Sequence, residues 1–72
     1  MNKKNKIKIV VNGKLLTVNI KFSLKNLIEK LKTPINKVAI ELNEEIIDKK
    51  KLNKIFLKNK DKIEIVHFIG GG

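Results

Sequence analysis

Residues 7–21 read IKIVVNGKLLTVNIK. Apolar residues alternate with their neighbours along Ile7–Val11 and again along Leu16–Ile20, which is the period-2 pattern of a strand with one buried face. Asn12-Gly13 lies between the two runs and strongly indicates a hairpin, because a type I′ turn needs positive φ at both central residues. The sequence therefore predicts a β-hairpin over residues 7–21, with one apolar face that another element must cover.

The segment after this hairpin has the pattern of an amphipathic helix. Ser23 stands where a helix N-cap belongs, with a hydroxyl that can accept a hydrogen bond from an unpaired backbone amide. Pro34 prevents the helix from continuing. The apolar positions between them follow the i, i+3, i+4, i+7 spacing of a single stripe, which we expect to cover the hairpin: Leu24, Leu27, Ile28 and Leu31.

The middle of the chain predicts a second hairpin and an irregular connection. Val38–Leu42 reads as a third strand, residues 43–45 as a turn, and Ile46-Ile47 as a short fourth strand. Residues 48–51 read as a charged, solvated connection. A loop or one helical turn then fills the core with Leu52, Ile55, Phe56 and Leu57.

The last predicted strand, Lys62–Ile69, is long enough to run through the middle of a sheet, parallel to the first strand. Ile63 and Ile65 are expected on its inward face. The element order β-β-α-β-β-β predicts an α+β protein: a β-grasp, or ubiquitin-like, roll with a mixed sheet and one main helix packed across it. We expect a disordered basic lead-in at residues 1–6, the β-grasp domain at 7–69 and a flexible glycine tail at 70–72.

The chain as given ends in three glycines, Gly70, Gly71 and Gly72. Glycine has no Cβ, so such a tail can enter a channel too narrow for any side chain and present a bare α-carboxylate. That arrangement suits a protein whose own C-terminus is the substrate of an enzyme. Val66 and Phe68 are expected on the sheet face opposite Ile63 and Ile65, and with Ile69 they form a candidate docking site beside the tail.

Composition argues against several other classes of protein. The 72 residues contain no cysteine and one histidine, which leaves no thiolate metal site and no cysteine nucleophile. No apolar run approaches the roughly 18 residues of a membrane span, and the basic start lacks the apolar core of a signal peptide. We expect a protein of the cytoplasm, or of the plastid stroma if an organelle encodes it.

The net charge of +10 invites a nucleic-acid interpretation, which other features make unlikely. All 17 basic residues are lysine, whereas arginine supplies the bidentate contacts that nucleic-acid sites favour. Lysine, asparagine and isoleucine, whose codons are rich in A and T, make up 38 of the 72 residues. A genome biased towards A and T accounts for the charge more simply.

Three stretches of the chain resemble the ThiS family, the sulfur-carrier proteins of thiamine biosynthesis. Residues 11–14 match the family's first hairpin turn, and residues 38–47 resemble its middle hairpin. Residues 61–72, DKIEIVHFIGGG, are similar to the family's C-terminal stretch, which begins D-R-V-E-I-V and ends in a hydrophobic residue and V-G-G-G. Glu44 and Lys60 stand where the family often has glycine, so we expect positive φ and modest strain at both.

The resemblance implies a cycle in which this chain is a protein substrate and not an enzyme. A ubiquitin-activating-like (ThiF-like) adenylyltransferase would use Mg-ATP to couple AMP to the Gly72 carboxylate, with Gly71 needed for threading and Gly70 as a spacer. A persulfide relay fed by a cysteine desulfurase would replace AMP with sulfur. Thiazole synthase (ThiG-like) would take that sulfur from the C-terminal thiocarboxylate. No metal and no bound cofactor are expected in the chain itself.

Three alternatives stay open on sequence alone. The small subunit of molybdopterin synthase and ubiquitin-like modifiers of tRNA thiolation share the same tail chemistry. A basic RNA-binding β-domain would show salt-sensitive binding and no dependence on Gly72.

His67 is expected at a sheet edge without a catalytic role. The side chains of lysines 49–51 are expected to be exposed to solvent, or to contact an acidic partner.

Overall fold

The structure is a computed structural model and describes residues 5–68. Two 3₁₀ segments, here called the short and the long 3₁₀ helix, accompany one α-helix and the strands. The elements in chain order are β1 (Lys6–Val11), β2 (Lys14–Asn19), α1 (Leu24–Lys30), the short 3₁₀ helix (Ile35–Lys37), β3 (Val38–Leu42), β4 (Glu45–Ile46), the long 3₁₀ helix (Lys49–Lys54) and β5 (Lys62–His67).

The strands form one mixed sheet in the order β2-β1-β5-β3-β4. β5 pairs parallel to β1 and antiparallel to β3, so the last strand lies in the middle of the sheet, as predicted. The predicted β-hairpin is present, with every residue of β1 paired to one of β2. The α+β, β-grasp prediction is confirmed: a mixed sheet is packed against one main helix.

The core lies between the sheet and the layer formed by α1 and the loops beside it. Ile9, Ile40 and Ile63 come from three adjacent strands and are fully buried there. Leu24 and Leu27 of α1 are likewise inaccessible to solvent, and Ile28 is buried. Leu52 and Leu57 fill the remaining space, as the sequence predicts. The helix and the loop residues beside it thus cover the inward face of the sheet.

The start of α1 follows the predicted capping chemistry. The Asn26 amide donates to Ser23 Oγ at 3.0 Å, and the Ser23 amide donates to Asn26 Oδ1 at 3.0 Å. This reciprocal pair is a capping box, with asparagine in the place that glutamate or glutamine usually takes. The two bonds satisfy backbone donors that a helix start otherwise leaves unpaired.

The end of α1 differs from the prediction, because the helix stops at Lys30 and Leu31 is its C-cap. The Thr33 amide bonds the Ile28 carbonyl at 3.1 Å and the Lys32 amide bonds that of Glu29 at 3.0 Å, which is the Schellman pattern. Lys32 takes the left-handed position, at φ 55°, that glycine usually occupies. Leu31 is therefore 39% exposed and is not a core member of the predicted stripe.

Four element boundaries also differ from the sequence prediction. β1 begins at Lys6, inside the predicted lead-in, and residues 1–4 lie outside the described range. β2 ends at Asn19, which leaves Ile20 exposed. β4 is Glu45–Ile46 and not Ile46-Ile47, because the turn before it has two residues and not three. β5 ends at His67, two residues before the predicted end.

Phe56 was expected to fill the core, and this is wrong: its side chain is 56% exposed. The segment after the long 3₁₀ helix is extended, and it is held by hydrogen bonds between Leu24 N–H and the Ile55 carbonyl and between Leu57 N–H and the Phe22 carbonyl. Alternation along an extended segment turns Leu57 inward and therefore Phe56 outward. In a helical turn, Phe56 and Leu57 would not point to opposite sides in this way.

The strain expected at Glu44 and Lys60 is confirmed. Their φ angles are 74° and 76°, in the left-handed region that glycine occupies without penalty. Each position costs a non-glycine residue about 1–2 kcal/mol of backbone strain. The Lys60 conformation allows its amide to donate to the Lys8 carbonyl at 2.7 Å, which ties the turn before β5 to β1.

Candidate functional site

The site begins where β5 ends, because the central strand carries the chain towards its C-terminus. The Phe68 amide donates to the Lys37 carbonyl at 2.9 Å, which fixes the backbone one residue beyond the strand. Phe68 is also the last residue that the structure describes. The predicted docking residue Ile69 and the predicted tail residues Gly70, Gly71 and Gly72 lie outside the described residues.

Val66 and Phe68 form an apolar surface at this end of β5, called here the tail-base patch. Their side chains are 50% and 57% exposed, whereas Ile63 and Ile65 are buried on the other face. The predicted division of β5 into an inward and an outward face is therefore confirmed. That a partner docks on the tail-base patch stays a prediction.

Lys49 reaches the tail-base patch from the start of the long 3₁₀ helix. Its Nζ atom lies 5.2 Å from the centroid of the Phe68 ring, within the range of a cation–π contact. The lysine is half-buried, unlike the exposed Lys50 and Lys51 beside it. Lys50 and Lys51 are therefore solvated as predicted, whereas Lys49 contacts Phe68 of the tail-base patch.

Asn12 holds β5 from the side of β1. Its Nδ2 donates to the Ile65 carbonyl at 3.3 Å, and the Ile65 amide donates to its Oδ1 at 2.7 Å. Its own amide donates to the Ile63 carbonyl at 2.9 Å. Strand pairing between β1 and β5 covers only Val10 with Lys62 and Val11 with Ile63. The Asn12 side chain therefore extends a short parallel ladder.

Asn43 holds β5 in the same way from the side of β3. The Lys62 amide donates to Asn43 Oδ1 at 2.9 Å, and Asn43 Nδ2 donates to Asp61 Oδ1 at 3.0 Å. Asn12 and Asn43 both have positive φ, near 50°, at the first central position of a hairpin turn. The sequence indicated turns at these asparagines but not their contacts with a distant strand. Two turns thus fix the strand that leads to the tail.

We expect Asn12→Gly to lower the free energy of unfolding by about 1–3 kcal/mol, because the part-buried Ile65 amide loses its acceptor. Glycine keeps the positive φ, so the loss reports the side chain and not the turn. Asn12→Asp is the partial control: it keeps the acceptor for the Ile65 amide but lacks the Nδ2 donor to the Ile65 carbonyl, so its loss should be smaller than that of Asn12→Gly. Urea unfolding measures both. Equal stability of wild type and Asn12→Gly would show that the side chain does not hold β5.

The sheet face opposite the core carries more exposed apolar side chains than the sequence prediction included. Leu15 on β2 and Ile46 on β4 are among the exposed large hydrophobic residues, together with Val66 and Phe68. Strand register puts Leu15 opposite Val10, and Ile46 opposite Glu41, on the face that Val66 shares. The alternation of inward and outward positions along β2 and β4 could have indicated this exposure from the sequence.

Neither a metal site nor a membrane-spanning helix is found among residues 5–68. No three histidine, cysteine, aspartate or glutamate side chains of this range lie close enough together to hold a metal ion. No helix of the same range is both long and apolar enough to cross a bilayer. His67 is exposed at the C-terminal end of the central strand β5, opposite Val38 of β3, and does not lie on an edge strand.

A β-grasp sheet whose central strand leads to a C-terminal run of glycines defines the class of ubiquitin-like proteins. The model of the ThiS family matches residues 9–72, and the chain belongs to that family. It is the family of small sulfur-carrier proteins of thiamine biosynthesis. The resemblance found in the hairpin turns and the C-terminal stretch is thereby confirmed.

Similar proteins agree with this assignment. The sulfur carrier protein ThiS of Bacillus subtilis (strain 168) is 51% identical over 35 residues, which cover 49% of this chain and 53% of that protein. A crystal structure of the thiamine biosynthesis protein (ThiS) from Geobacter metallireducens superposes with a TM-score of 0.80 at 30% identity, covering 92% of this chain and all of that one.

A third relative is much longer than this chain. A thiazole synthase of Paramagnetospirillum magneticum (strain ATCC 700264 / AMB-1) is 36% identical over 66 residues, or 92% of this chain. The chain spans only 20% of the length of that protein. The matching segment is therefore one part of a protein in which four fifths of the length has no counterpart here.

Proposed function

We propose that the α-carboxylate of Gly72 is adenylated, converted to a thiocarboxylate and used as the sulfur donor for thiazole synthesis. The carboxylate oxygen attacks the α-phosphorus of ATP, held with Mg²⁺ by a partner adenylyltransferase, and pyrophosphate leaves. The terminal sulfur of a persulfide attacks the acyl carbon and AMP leaves. A thiol then reduces the resulting disulfide and releases the thiocarboxylate.

The observation that carries this proposal is the position of β5. It runs through the middle of the sheet, is fixed by Asn12 and Asn43, and brings the chain to Phe68, four residues before Gly72. A terminal carboxylate is a poor acyl donor, and adenylation gives it a good leaving group. The family match through residue 72 includes all three glycines of the tail.

Thiazole synthase is the sulfur acceptor that we propose. Two thiazole synthases each contain a segment similar to this chain within a much longer polypeptide. A carrier joined to an enzyme is held close to it at high effective concentration. That arrangement supports the same pairing for this chain. The cysteine-desulfurase relay is inferred from the chemistry, because sulfur must arrive at the oxidation level of a persulfide.

We propose the cytoplasm as the compartment, or the plastid stroma if an organelle encodes the chain. The abundance of lysine, asparagine and isoleucine, 38 residues of 72, supports a genome rich in A and T. Organelle genomes are one source of such a bias.

Intact mass spectrometry tests the proposed chemistry. The 72-residue chain is incubated with Mg-ATP, an adenylyltransferase of the family, a cysteine desulfurase, cysteine and a thiol. We expect a mass increase equal to one oxygen replaced by sulfur, and transfer of that sulfur to product when thiazole synthase and its substrates are added. A chain that stays unmodified while a known carrier is converted by the same enzymes would contradict the proposal.

We expect Phe68→Ala to lower kcat/KM for adenylation about tenfold, because truncating an aromatic anchor of an interface typically costs about 1–2 kcal/mol. Val66→Thr keeps the shape of the strand residue and should have a smaller effect in the same direction. Leu15→Ala is the matched control, since Leu15 is 66% exposed but lies at the far edge of the sheet.

Pyrophosphate release measures these rates, and thermal unfolding verifies that each variant folds. Equal losses in Phe68→Ala and Leu15→Ala would show that the tail-base patch is not the docking surface. Loss confined to the variants at Val66 and Phe68 would establish it, even if another sulfur pathway uses the carrier.

A further inference from the structure

A cavity of about 450 Å³ opens between α1 and the long 3₁₀ helix. Its floor is apolar, with Ile28 and Leu52 buried and Ile35 half-buried. Sites for small molecules have volumes of about 300–1,000 Å³ and combine an apolar lining with a few polar groups. The size and floor of this cavity meet that description.

The rim of the cavity is basic. Lys25 and Lys32 line it from α1 and its end, and Lys49 and Lys50 line it from the long 3₁₀ helix. Glu29 is the only acidic residue among the described lining residues, and its carboxylate lies 4.0 Å from Lys25 Nζ. Among residues 5–68, Lys32, Lys49 and Lys50 make no salt bridge, so three ammonium groups lack an anionic partner.

Hydrogen bonds fix the backbone at two of these lysines. Lys32 is placed by the Schellman turn that ends α1, with φ 55°. The Lys50 amide donates to Asp48 Oδ1 at 2.9 Å, which caps the start of the long 3₁₀ helix. Thr33 and Asn53 add a hydroxyl and an amide to the rim. Residues that carry cationic and neutral hydrogen-bond donors thus line one opening from two elements.

We propose that this cavity binds a small phosphate-bearing molecule with a flat or apolar body. A phosphate dianion complements three unpaired ammonium groups, and lysine binds phosphate as a point charge. The apolar floor favours a ligand that has a hydrophobic body besides its charge.

Binding at the cavity also bears on the tail-base patch through Lys49. Lys49 lines the cavity, and its ammonium group lies 5.2 Å from the centroid of the Phe68 ring. A phosphate that attracts Lys49 competes with the ring for it, because a phosphate dianion attracts a cation more strongly than an exposed ring does. The Phe68 ring therefore reports on ligand binding at a distance from the cavity floor.

Phenyl phosphate is the probe that tests the proposal, because it joins a phosphate to a flat apolar body. Titration is followed by the amide, methyl and aromatic NMR resonances of the full chain at physiological ionic strength. We expect shifts confined to the cavity residues and to the Phe68 ring, and affinity about tenfold higher than that of inorganic phosphate. Phenol, which has the body without the charge, should bind more weakly than phenyl phosphate.

Variants at the rim separate this site from general attraction to a basic protein. Lys32→Gln and Lys50→Gln should each weaken phenyl phosphate binding at least threefold. Lys14→Gln and Lys58→Gln, at exposed lysines outside the cavity, should leave it unchanged. Equal weakening in all four variants, or shifts spread over lysines throughout the chain, would overturn the proposal. None of these measurements uses the tail or a partner enzyme, so the result is independent of the proposed sulfur chemistry.

Discussion

Removing Gly72 is expected to lower the rate of thiocarboxylate formation at least 100-fold while the domain stays folded. The shortened chain still ends in a glycine, so the terminal carboxylate keeps the same intrinsic reactivity. The carboxyl carbon, however, moves back by about 3.3–3.6 Å, the length of one extended residue. A misplacement of about 1 Å can already cost about 100-fold in a reaction that depends on orientation.

A chain of this length is accessible to chemical synthesis, which provides a second variant. Amidation of the Gly72 carboxyl keeps the length of the chain and removes the nucleophilic oxygen, so we expect no adenylate at all. Deletion of Asn2 is the matched control for loss of one residue and should convert at the wild-type rate. Sulfur incorporation into the amide would show that another group is modified. Wild-type rates in the chain without Gly72 would show that tail length does not position the reaction.

Leu27→Ala is expected to lower the free energy of unfolding by about 3–5 kcal/mol, the cost of a cavity at a fully buried leucine. Leu27 has 0% exposure and lies on α1 over the sheet. At ordinary values per residue, 72 residues give a total stability of about 4–11 kcal/mol. The variant should therefore lose a quarter or more of the total stability, which urea unfolding followed by circular dichroism would reveal.

Leu31→Ala is the matched control for this prediction. The same side chain is removed one helical turn later, where the helix has already ended and 39% of the leucine is exposed. We expect a smaller loss of about 1–2 kcal/mol, because only part of this side chain is buried and no closed cavity is left. Losses of similar size at both positions would contradict the placement of Leu27 in the core and Leu31 at its margin.

The sequence predicts the parts of this fold that local chemistry determines. The turn at Asn12-Gly13 demands positive φ, Ser23 offers a cap, and strict alternation in residues 7–21 assigns inward and outward faces. The boundary of α1 was predicted less well, because the Schellman turn at Lys32 uses a lysine where the usual signal is glycine. Sequence rules for helix ends fail here because a lysine occupies the left-handed position where they expect glycine.

Long-range features could not be predicted from the sequence. The Asn12 side chain bonds Ile65, 53 residues away in the chain, and no local pattern indicates that partner. Phe56 was misplaced for a similar reason: only the bonds of its neighbours to Phe22 and Leu24 show that the segment is extended. The lysine-rimmed cavity likewise depends on how two separate elements pack, although each of its lysines is visible in the sequence.

The hydrogen bond between the Phe68 amide and the Lys37 carbonyl limits how deep an active site can lie if it acts on the Gly72 carboxylate. Four residues follow Phe68, and fully extended they span at most about 13–14 Å. An enzyme that leaves this bond intact must hold its reacting atoms within that depth of the surface that receives the end of the sheet. Adenylyltransferase, sulfur donor and thiazole synthase would share this limit, so their entrances should have closely similar depths despite different chemistry.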